Sequence, residues 1–240
     1  MLDFHTHILP GIDDGSKNIE TSCKMIDMLS GQSVDTVIAT PHFYHNKIRF
    51  EEFKELRKQA LNSLLEELDK KNREKRPKIA LGAEVKFFYE LGVYPHAEDL
   101  CISGTRFMLV EMPFEKWEHR MYLTLGNLKD NRDITPVIAH IERYFSFNSK
   151  KEMIDNLLDS GALIQCNTSF FNSFFTRGNA LKMLKDGFIQ FIGTDCHNLD
   201  KRKPDYEKAL NIIKNRCEGD CLNSLNIWEE AFLRDKPLLY

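Results

Sequence analysis

The chain opens on Asp3-Phe4-His5-Thr6-His7 and closes its last apolar run on Gly193-Thr194-Asp195-Cys196-His197. His5 and His7 stand two apart at the end of a β-type run, where alternation puts both side chains on one side, within reach of a common ion. Other short apolar runs end at His42, Glu84, Glu111 and His140. Five of the eight histidines thus stand at expected strand ends, joined by Glu84, Glu111 and Asp195. Imidazoles and carboxylates converging on one point make a divalent metal site. Several unpaired acids facing one cavity would be costly without cations. The mixed donor set suits manganese, iron or zinc, and several ions rather than one. A carboxylate such as Glu84 can bridge two of them, and closely spaced ions generate a hydroxide at neutral pH and clamp a phosphoryl group. His45, His96 and His119 fall on loops or helix edges and read as structural histidines.

These residues need elements that bring them to one face. Leu2-Asp3-Phe4, Thr36-Val37-Ile38-Ala39-Thr40, Lys78-Ile79-Ala80-Leu81 and Phe107-Met108-Leu109-Val110 read as strands. So do Thr135-Pro136-Val137-Ile138-Ala139, Leu163-Ile164-Gln165-Cys166 and Gln190-Phe191-Ile192-Gly193. Helical spacing occupies residues 17–30, and a stripe of Phe50, Phe53, Leu56, Ala60, Leu61, Leu64 and Leu68 marks a long amphipathic helix. Further helices are expected near 118–130, 150–160, 174–186 and 205–216. The charged stretch from Asp69 to Lys78 reads as a solvated helix end and loop. Alternating strands and helices imply parallel pairing through β-α crossovers. An open doubly wound sheet would gather its ligands from a few strands at a switch point. Here nearly every strand ends in a polar candidate, Asn167 included, which favours an α/β barrel of about seven strands, one short of the usual eight.

At 240 residues, 42% of them hydrophobic, the chain is long enough for a sizeable core, and no internal repeat, low-complexity tract or linker divides it. A single domain over 1–240 is expected. A net charge of -3 gives no electrostatic reason to bind nucleic acid or an anionic membrane. No apolar stretch reaches the roughly 18 residues of a membrane span, and no signal peptide precedes the first strand. A cytoplasmic location is expected. Six cysteines, Cys23, Cys101, Cys166, Cys196, Cys217 and Cys221, include no C-x-x-C pair and are expected as small buried thiols.

His5-Thr6-His7-Ile8-Leu9-Pro10-Gly11-Ile12-Asp13-Asp14-Gly15 resembles the first motif of the PHP (polymerase and histidinol phosphatase) superfamily. More narrowly, it resembles the bacterial capsule-type, manganese-dependent protein-tyrosine phosphatases. The similarity continues in order through Thr40-Pro41-His42, Gly82-Ala83-Glu84, Val110-Glu111-Met112-Pro113, Ala139-His140-Ile141-Glu142-Arg143-Tyr144 and Asp195-Cys196-His197-Asn198. It spans essentially the whole chain. The resemblance implies a distorted seven-stranded (β/α) barrel of the PHP type with three metal ions. It implies His5, His7, Asp14, His42, Glu84, Glu111, His140, Asp195 and His197 as ligands, with Asp13 the alternative to its neighbour Asp14. It further implies Arg143 and Arg202 as phosphate-holding residues.

The expected activity is then hydrolysis of phosphotyrosine in protein, with metal-activated hydroxide attacking phosphorus in line. The leaving phenol, pKa near ~10, needs less acid assistance than an alkyl alcohol. The implied partner is a bacterial tyrosine kinase of capsular or extracellular polysaccharide synthesis, through its tyrosine-rich tail. The same scaffold would also serve a small-molecule phosphatase of the histidinol-phosphatase type, or a non-catalytic metal-binding module. Cys196 departs from the family pattern. Its spacing to Arg202 matches the C-x5-R of cysteine-dependent tyrosine phosphatases. The intervening His197-Asn198-Leu199-Asp200-Lys201 has no glycine and carries an acid, which does not suit a phosphate-cradling loop.

Overall fold

A computed structural model of the chain describes residues 1–70, 76–217 and 220–240. The first strand, β1 (Leu2–Thr6), is buried along its whole length, as expected of a parallel strand covered on both faces. α1 (Ile19–Gly31) starts where the Asn18 side chain accepts a hydrogen bond from Thr21 N, at 2.9 Å, a side-chain cap for an otherwise unpaired amide. β2 (Thr36–Ala39) and the two-residue β3 (His42–Phe43) follow. α2 (Phe50–Lys70) buries Phe50, Phe53, Leu61, Leu64 and Leu68 on one stripe. Then come β4 (Lys78–Leu81), β5 (Glu84–Lys86), β6 (Phe107–Glu111), α3 (His119–Arg132), β7 (Thr135–Ile138) and α4 (Lys150–Asp159). The chain ends through β8 (Leu163–Asn167), α5 (Thr168–Asn172), α6 (Arg177–Lys185), β9 (Phe191–Gly193), α7 (Tyr206–Arg216) and α8 (Asp220–Arg234).

Among the described residues every pairing between two of these strands is parallel, and Leu239 adds an isolated antiparallel bridge to Ala80 of β4. One sheet has the order β1-β2-β4 and the other β3-β5-β6-β7-β8-β9. The expected strands are thus found as nine shorter pieces in two sheets among the described residues. The reason is local. Thr40-Pro41 separates β2 from β3, and Pro41 has no amide to give to a ladder. Gly82-Ala83 separates β4 from β5. Backbone bonds bridge the breaks, with Gly82 N donating to Ala39 O at 2.8 Å and Glu84 N to Pro41 O at 3.0 Å. At the other margin Asp195 N donates to His5 O at 2.8 Å, and His7 N to Cys196 O at 3.0 Å. The result is a curled parallel sheet whose carboxyl ends share one rim.

Beneath that rim lies an inner apolar layer of Leu2, Phe4, Ile38, Leu109, Val137, Phe191 and Phe232. Phe4 stacks on Phe191, and α8 brings Phe232 against Phe4 with centroids 5.6 Å apart. The larger apolar cluster fills the space between the strands and the outer helices. The short pieces β3 and β5, the turn of helix α5, and α8 were not expected from the apolar runs. Cys217 and Cys221 correct the expectation of six thiols, since they form a disulfide. Their C-x-x-x-C spacing spans the junction of α7 and α8, where the two Cα atoms approach to 6.0 Å. Cys101, Cys166 and Cys196 are free thiols and, like Cys23, are buried. Of the charged stretch, residues 71–75 lie outside the described residues; α2 runs to Lys70, and Arg76 pairs with Asp69 at 2.9 Å. No helix of the described residues is long and apolar enough to cross a membrane.

Candidate metal centre

The two outermost strands of the wall are joined at the rim by residues with little room. A Cβ on Gly193 would lie 2.6 Å from His5 Cβ, and one on Gly15 would lie 2.4 Å from His7 Cβ. Both positions therefore require glycine for the close approach of backbone to imidazole. They press the end of β9 and the loop after β1 against the His-x-His pair.

The structure brings all nine expected ligands to this rim, seven of them in three overlapping groups. His7, Asp14, His42 and His197 form one; His5, His7 and Glu84 a second; His42, Glu84 and Glu111 a third. Within each group one donor atom per residue lies within 4.8 Å of the others. His140 reaches Glu84 Oε1 through Nε2 at 2.9 Å and lies 3.8 Å from Glu111 Oε1. Asp195 Oδ1 is 3.7 Å from His5 Nε2 and 3.5 Å from His7 Nε2. His140 and Asp195 both hold left-handed backbone, with φ of 34° and 51°. For non-glycine residues such backbone is costly and clusters at functional sites.

Geometry divides the neighbouring acids. Asp14 Oδ1 lies 3.4 Å from both His42 Nε2 and His197 Nε2. Asp13 stays outside that group and touches two of its members from behind. Its Oδ2 sits 2.7 Å from His7 Nδ1 and accepts from His42 N at 3.0 Å, while Oδ1 accepts from Gly15 N at 2.9 Å. Burial alone would raise Asp13, but these bonds outweigh it and hold the carboxyl at about 2. Asp13 is a fixed anion that orients one ring and anchors the loop.

Burial also sets the protonation states. It pushes His42, His140 and His197 down, His197 to about 4, so these rings are neutral at pH 7. Burial opposes the charge on Glu84 and Asp195, yet the surrounding histidines, with Arg143 beside Asp195, hold both carboxyls low. The neighbouring carboxylates act the other way on His5 and His7 and raise both, His7 to about 10, while burial beside Glu84 raises Glu111. Metal is held by neutral imidazole and ionised carboxylate, so binding at His5 and His7 would release protons. Among the described residues, His42 Nδ1, His140 Nδ1 and His197 Nε2 are buried without a hydrogen-bond partner. His42 Nδ1 is 3.1 Å from Glu84 Oε2 all the same, close but not aligned as a donor would be. Donors ranged around a common centre rather than paired with one another give this pattern, and the residues present fit divalent ions.

Arg143 and Arg202 meet on one carboxylate. Arg143 Nη2 donates to Asp195 Oδ2, and Arg202 Nη2 to Asp195 Oδ1 at 2.6 Å. Both side chains are 37% exposed, so they can be reached from solvent. Asn167, at the end of β8, donates to the same Oδ2 at 2.9 Å. Apolar-run reasoning had no reason to single out Gln165, yet its Oε1 accepts from His140 N at 2.7 Å and lies 3.3 Å from His5 Nδ1. A glutamine inside Leu163-Ile164-Gln165-Cys166 was the available signal. Lys86, two residues after Glu84 on the same strand face, places Nζ 3.2 Å from Glu111 Oε2.

Cys196 is fully buried, and burial raises its thiol well above the ordinary range. His45 stacks on Phe88 and His96 on Phe50, with centroids 4.1 and 4.2 Å apart, and His119 opens α3. Among the described residues none of the three joins the metal-binding groups.

Residues 1–231 match the family model described as "Capsular polysaccharide synthesis, CpsB/CapC". Tyrosine-protein phosphatase CpsB of Streptococcus pneumoniae is 30% identical over 238 residues, covering 90% of each chain. CpsB of Streptococcus agalactiae serotype III (strain NEM316) is 29% identical over 222 residues, covering 89% of each. Tyrosine-protein phosphatase YwqE of Bacillus subtilis (strain 168) is 26% identical over 246 residues, covering 99% of this chain and 93% of its own. A solved structure described as "Crystal structures of YwqE from Bacillus subtilis and CpsB from Streptococcus pneumoniae, unique metal-dependent tyrosine phosphatases" superposes with a TM-score of 0.84 at 24% identity, over 100% of this chain and 97% of that one. It shares the fold, with a curled parallel sheet. The chain belongs to the CpsB/CapC family of capsular polysaccharide synthesis.

Proposed function

We propose that the chain is a metal-dependent phosphomonoesterase that removes phosphate from phosphotyrosine in protein. The observation that carries this reading is the meeting of Arg143 and Arg202 on Asp195, at the margin of three groups of metal-binding donors. Cationic forks beside a cation site suit a phosphoryl group, whose oxygens need charge on several sides. Relatives named as tyrosine-protein phosphatases support the substrate class.

His5, His7, Asp14, His42, Glu84, Glu111, His140, Asp195 and His197 would hold the ions, which we take to be three. We take them to be manganese; iron and zinc suit the same donors. When bound, such ions ready a water for attack at neutral pH and offset charge on the phosphoryl oxygens. The chain's own residues do the rest. Asp13 keeps His7 in one orientation through Nδ1, and Gln165 holds the backbone of His140. Arg143 and Arg202 share Asp195 and retain further N–H donors for the equatorial oxygens of the phosphoryl group. Asp195, held by both guanidinium groups and Asn167, fixes the distance between the two forks. The phenolate leaves with little acid assistance.

The same proposal reads β2 with β3 and β4 with β5 as two interrupted strands, making seven around the wall, and takes 1–240 as one working domain. Its natural substrate would be the tyrosine-rich tail of a bacterial kinase of polysaccharide synthesis, met in the cytoplasm. Family membership in capsule synthesis supports that setting. The test is a substrate panel with and without added manganese. Turnover of a phosphotyrosine peptide well above that of histidinol phosphate is expected. The reverse order would assign a small-molecule phosphatase, and no turnover of any aryl phosphate would leave a metal-binding module.

A further inference from the structure

The segment Ser169-Phe170-Phe171-Asn172-Ser173-Phe174-Phe175 carries two phenylalanine pairs with opposite fates. Phe170 and Phe171 are buried in the core, whereas Phe174 and Phe175 are 81% and 94% exposed. The fold forgoes the stabilisation that burying either ring would bring. Among the described residues their only ring contact is with each other, at 5.9 Å and 84°. The loop that carries them is firmly tied. Ser173 N donates to Ser169 O at 3.0 Å, Thr176 Oγ1 to Phe170 O at 2.7 Å and Arg177 N to Ser173 O at 3.0 Å. Arg177 Nε also donates to Phe171 O at 3.1 Å. The two rings are thus presented on a braced loop. Adjacent exposed apolar side chains of this kind mark an interaction site.

Their position says with what. α5 begins directly after Asn167, which donates to Asp195 in the candidate centre. Both ends of α5 hold the loop that follows β9, since Asn172 Nδ2 donates to Asp205 Oδ2 at 2.7 Å and Thr168 Oγ1 to Oδ1. Three residues earlier on that loop stands Arg202. Its flanking neighbours Lys201 and Lys203 are exposed, and neither makes an ion pair among the described residues. Asp200 offsets one charge, leaving the turn 200–203 at net +2 (three cations less one acid). The aromatic pair follows α5 directly and the basic turn is tied to α5 through Asp205, so both are joined to the centre by one short helix.

We infer that Phe174, Phe175, Lys201 and Lys203 form a docking surface for the peptide segment beside the phosphotyrosine, one bearing acidic and bulky apolar side chains. This rests on the phosphotyrosine reading of the centre. The charge complements an acidic flank, and continuity with Arg202 places the surface where a chain leaving the centre must pass. Exposed rings give apolar side chains a face to cover, the role aromatic anchors play in interfaces.

The test uses the full chain with manganese. One phosphotyrosine peptide carries Glu and Leu or Phe on its flanks, a second carries Gly and Ser, and para-nitrophenyl phosphate has no flank at all. The first peptide should be preferred over the second by about tenfold in kcat/KM. The double substitutions Phe174→Ser with Phe175→Ser, and Lys201→Glu with Lys203→Glu, should each erase that preference through KM and leave para-nitrophenyl phosphate turnover unchanged. Equal use of both peptides by the unaltered chain would overturn the inference. So would a preference that survives both substitutions. Loss of binding to phosphatidylglycerol vesicles in the phenylalanine variant, with peptide preference intact, would reassign the surface to lipid. Failure of the unaltered chain to hydrolyse para-nitrophenyl phosphate would instead sink the phosphatase reading; fluorescence anisotropy of the two peptides, with and without the substitutions, would then decide the docking surface by itself.

Discussion

His5 and His7 bring their Nε2 atoms to 3.1 Å from each other, and Glu84 Oε2 lies 3.2 Å from both. Two imidazole nitrogens facing one another need a cation or a shared proton between them, since two lone pairs repel. The pair is set by β1, whose alternation puts both rings on one face, and by Gly193 and Gly15, whose missing side chains let the neighbouring backbone close in.

Replacing His5 removes one side of that arrangement. His5→Ala should lower bound metal and aryl phosphate hydrolysis together, while the thermal unfolding transition remains cooperative. Metal analysis of the purified variant checks this directly. Full metal content with normal turnover would take His5 out of the site.

Asp13 makes a separate prediction because it touches the ligands without joining their group. Its carboxylate orients His7 and holds the amides of His42 and Gly15. Partners of this type are worth about 10–100-fold in metal affinity. Asp13→Ala should weaken manganese binding by that order, and Asp13→Asn by less, because an amide oxygen still accepts from His7. Titration of the metal-free protein with manganese reads the difference. Unchanged affinity in Asp13→Ala would make the acid a loop anchor only.

Much of this was legible in the sequence. His5, His7, Glu84 and Asp195 stand at the ends of apolar runs, and period-2 and period-3.6 patterns gave the main strands and helices. The illegible parts have physical causes. β3 and β5 are two and three residues long, too short to show a period, and their pairing depends on backbone bonds across Pro41 and Gly82. The disulfide joins cysteines with a sequence separation of 4, a spacing that carries no signature of its own. Asp13 and Asp14 are adjacent, and only the loop's curvature decides which one faces His42. Gln165 acts through a strand neighbour, which no local spacing records.

α8 is the largest element the sequence reading did not anticipate, and it tests the floor of the site. Phe232 is fully buried among Phe4 and Phe107, with centroids 5.6 and 5.8 Å away. Phe232→Ala should cost about 3–5 kcal/mol of stability, read by denaturant unfolding. Metal affinity of the folded fraction should stay near normal, because the ring lies beneath the centre rather than in it. A loss below about 1 kcal/mol would mean that α8 is not docked as described.

Arg143 and Arg202 share one carboxylate but need not be equivalent. Arg143 sits in the turn Ile141–Tyr144, directly after His140, so it is fixed close to the metal ligands. Arg143→Ala should cost about 2–4 kcal/mol in transition-state stabilisation, the size of a lost donor aimed at a developing oxyanion. Arg143→Lys should recover only part of it, since an ammonium lacks the planar fork. Comparison of kcat/KM on one aryl phosphate measures both. Normal kinetics in Arg143→Ala would leave the residue as an ion-pair partner of Asp195 and nothing more.

Cys196 and Arg202 decide between two phosphatase chemistries. Their spacing alone fits a thiol nucleophile, but their geometry does not. The Cys196 side chain is fully buried, burial holds its proton on, and Arg202 reaches Asp195 instead. A nucleophilic thiol needs the opposite conditions, an exposed sulfur with a lowered pKa. Cys196→Ser should therefore retain most of its activity, with any loss traced to packing. A chelator should abolish turnover in both the unaltered chain and the variant, and added manganese should restore it. A thiol mechanism predicts a dead serine variant, an active chelated enzyme and a phosphocysteine trapped by rapid acid quench. Chelator-resistant activity that disappears in Cys196→Ser would falsify the metal-dependent mechanism, because the ligands from β1 to β9 would then have no part in the chemistry.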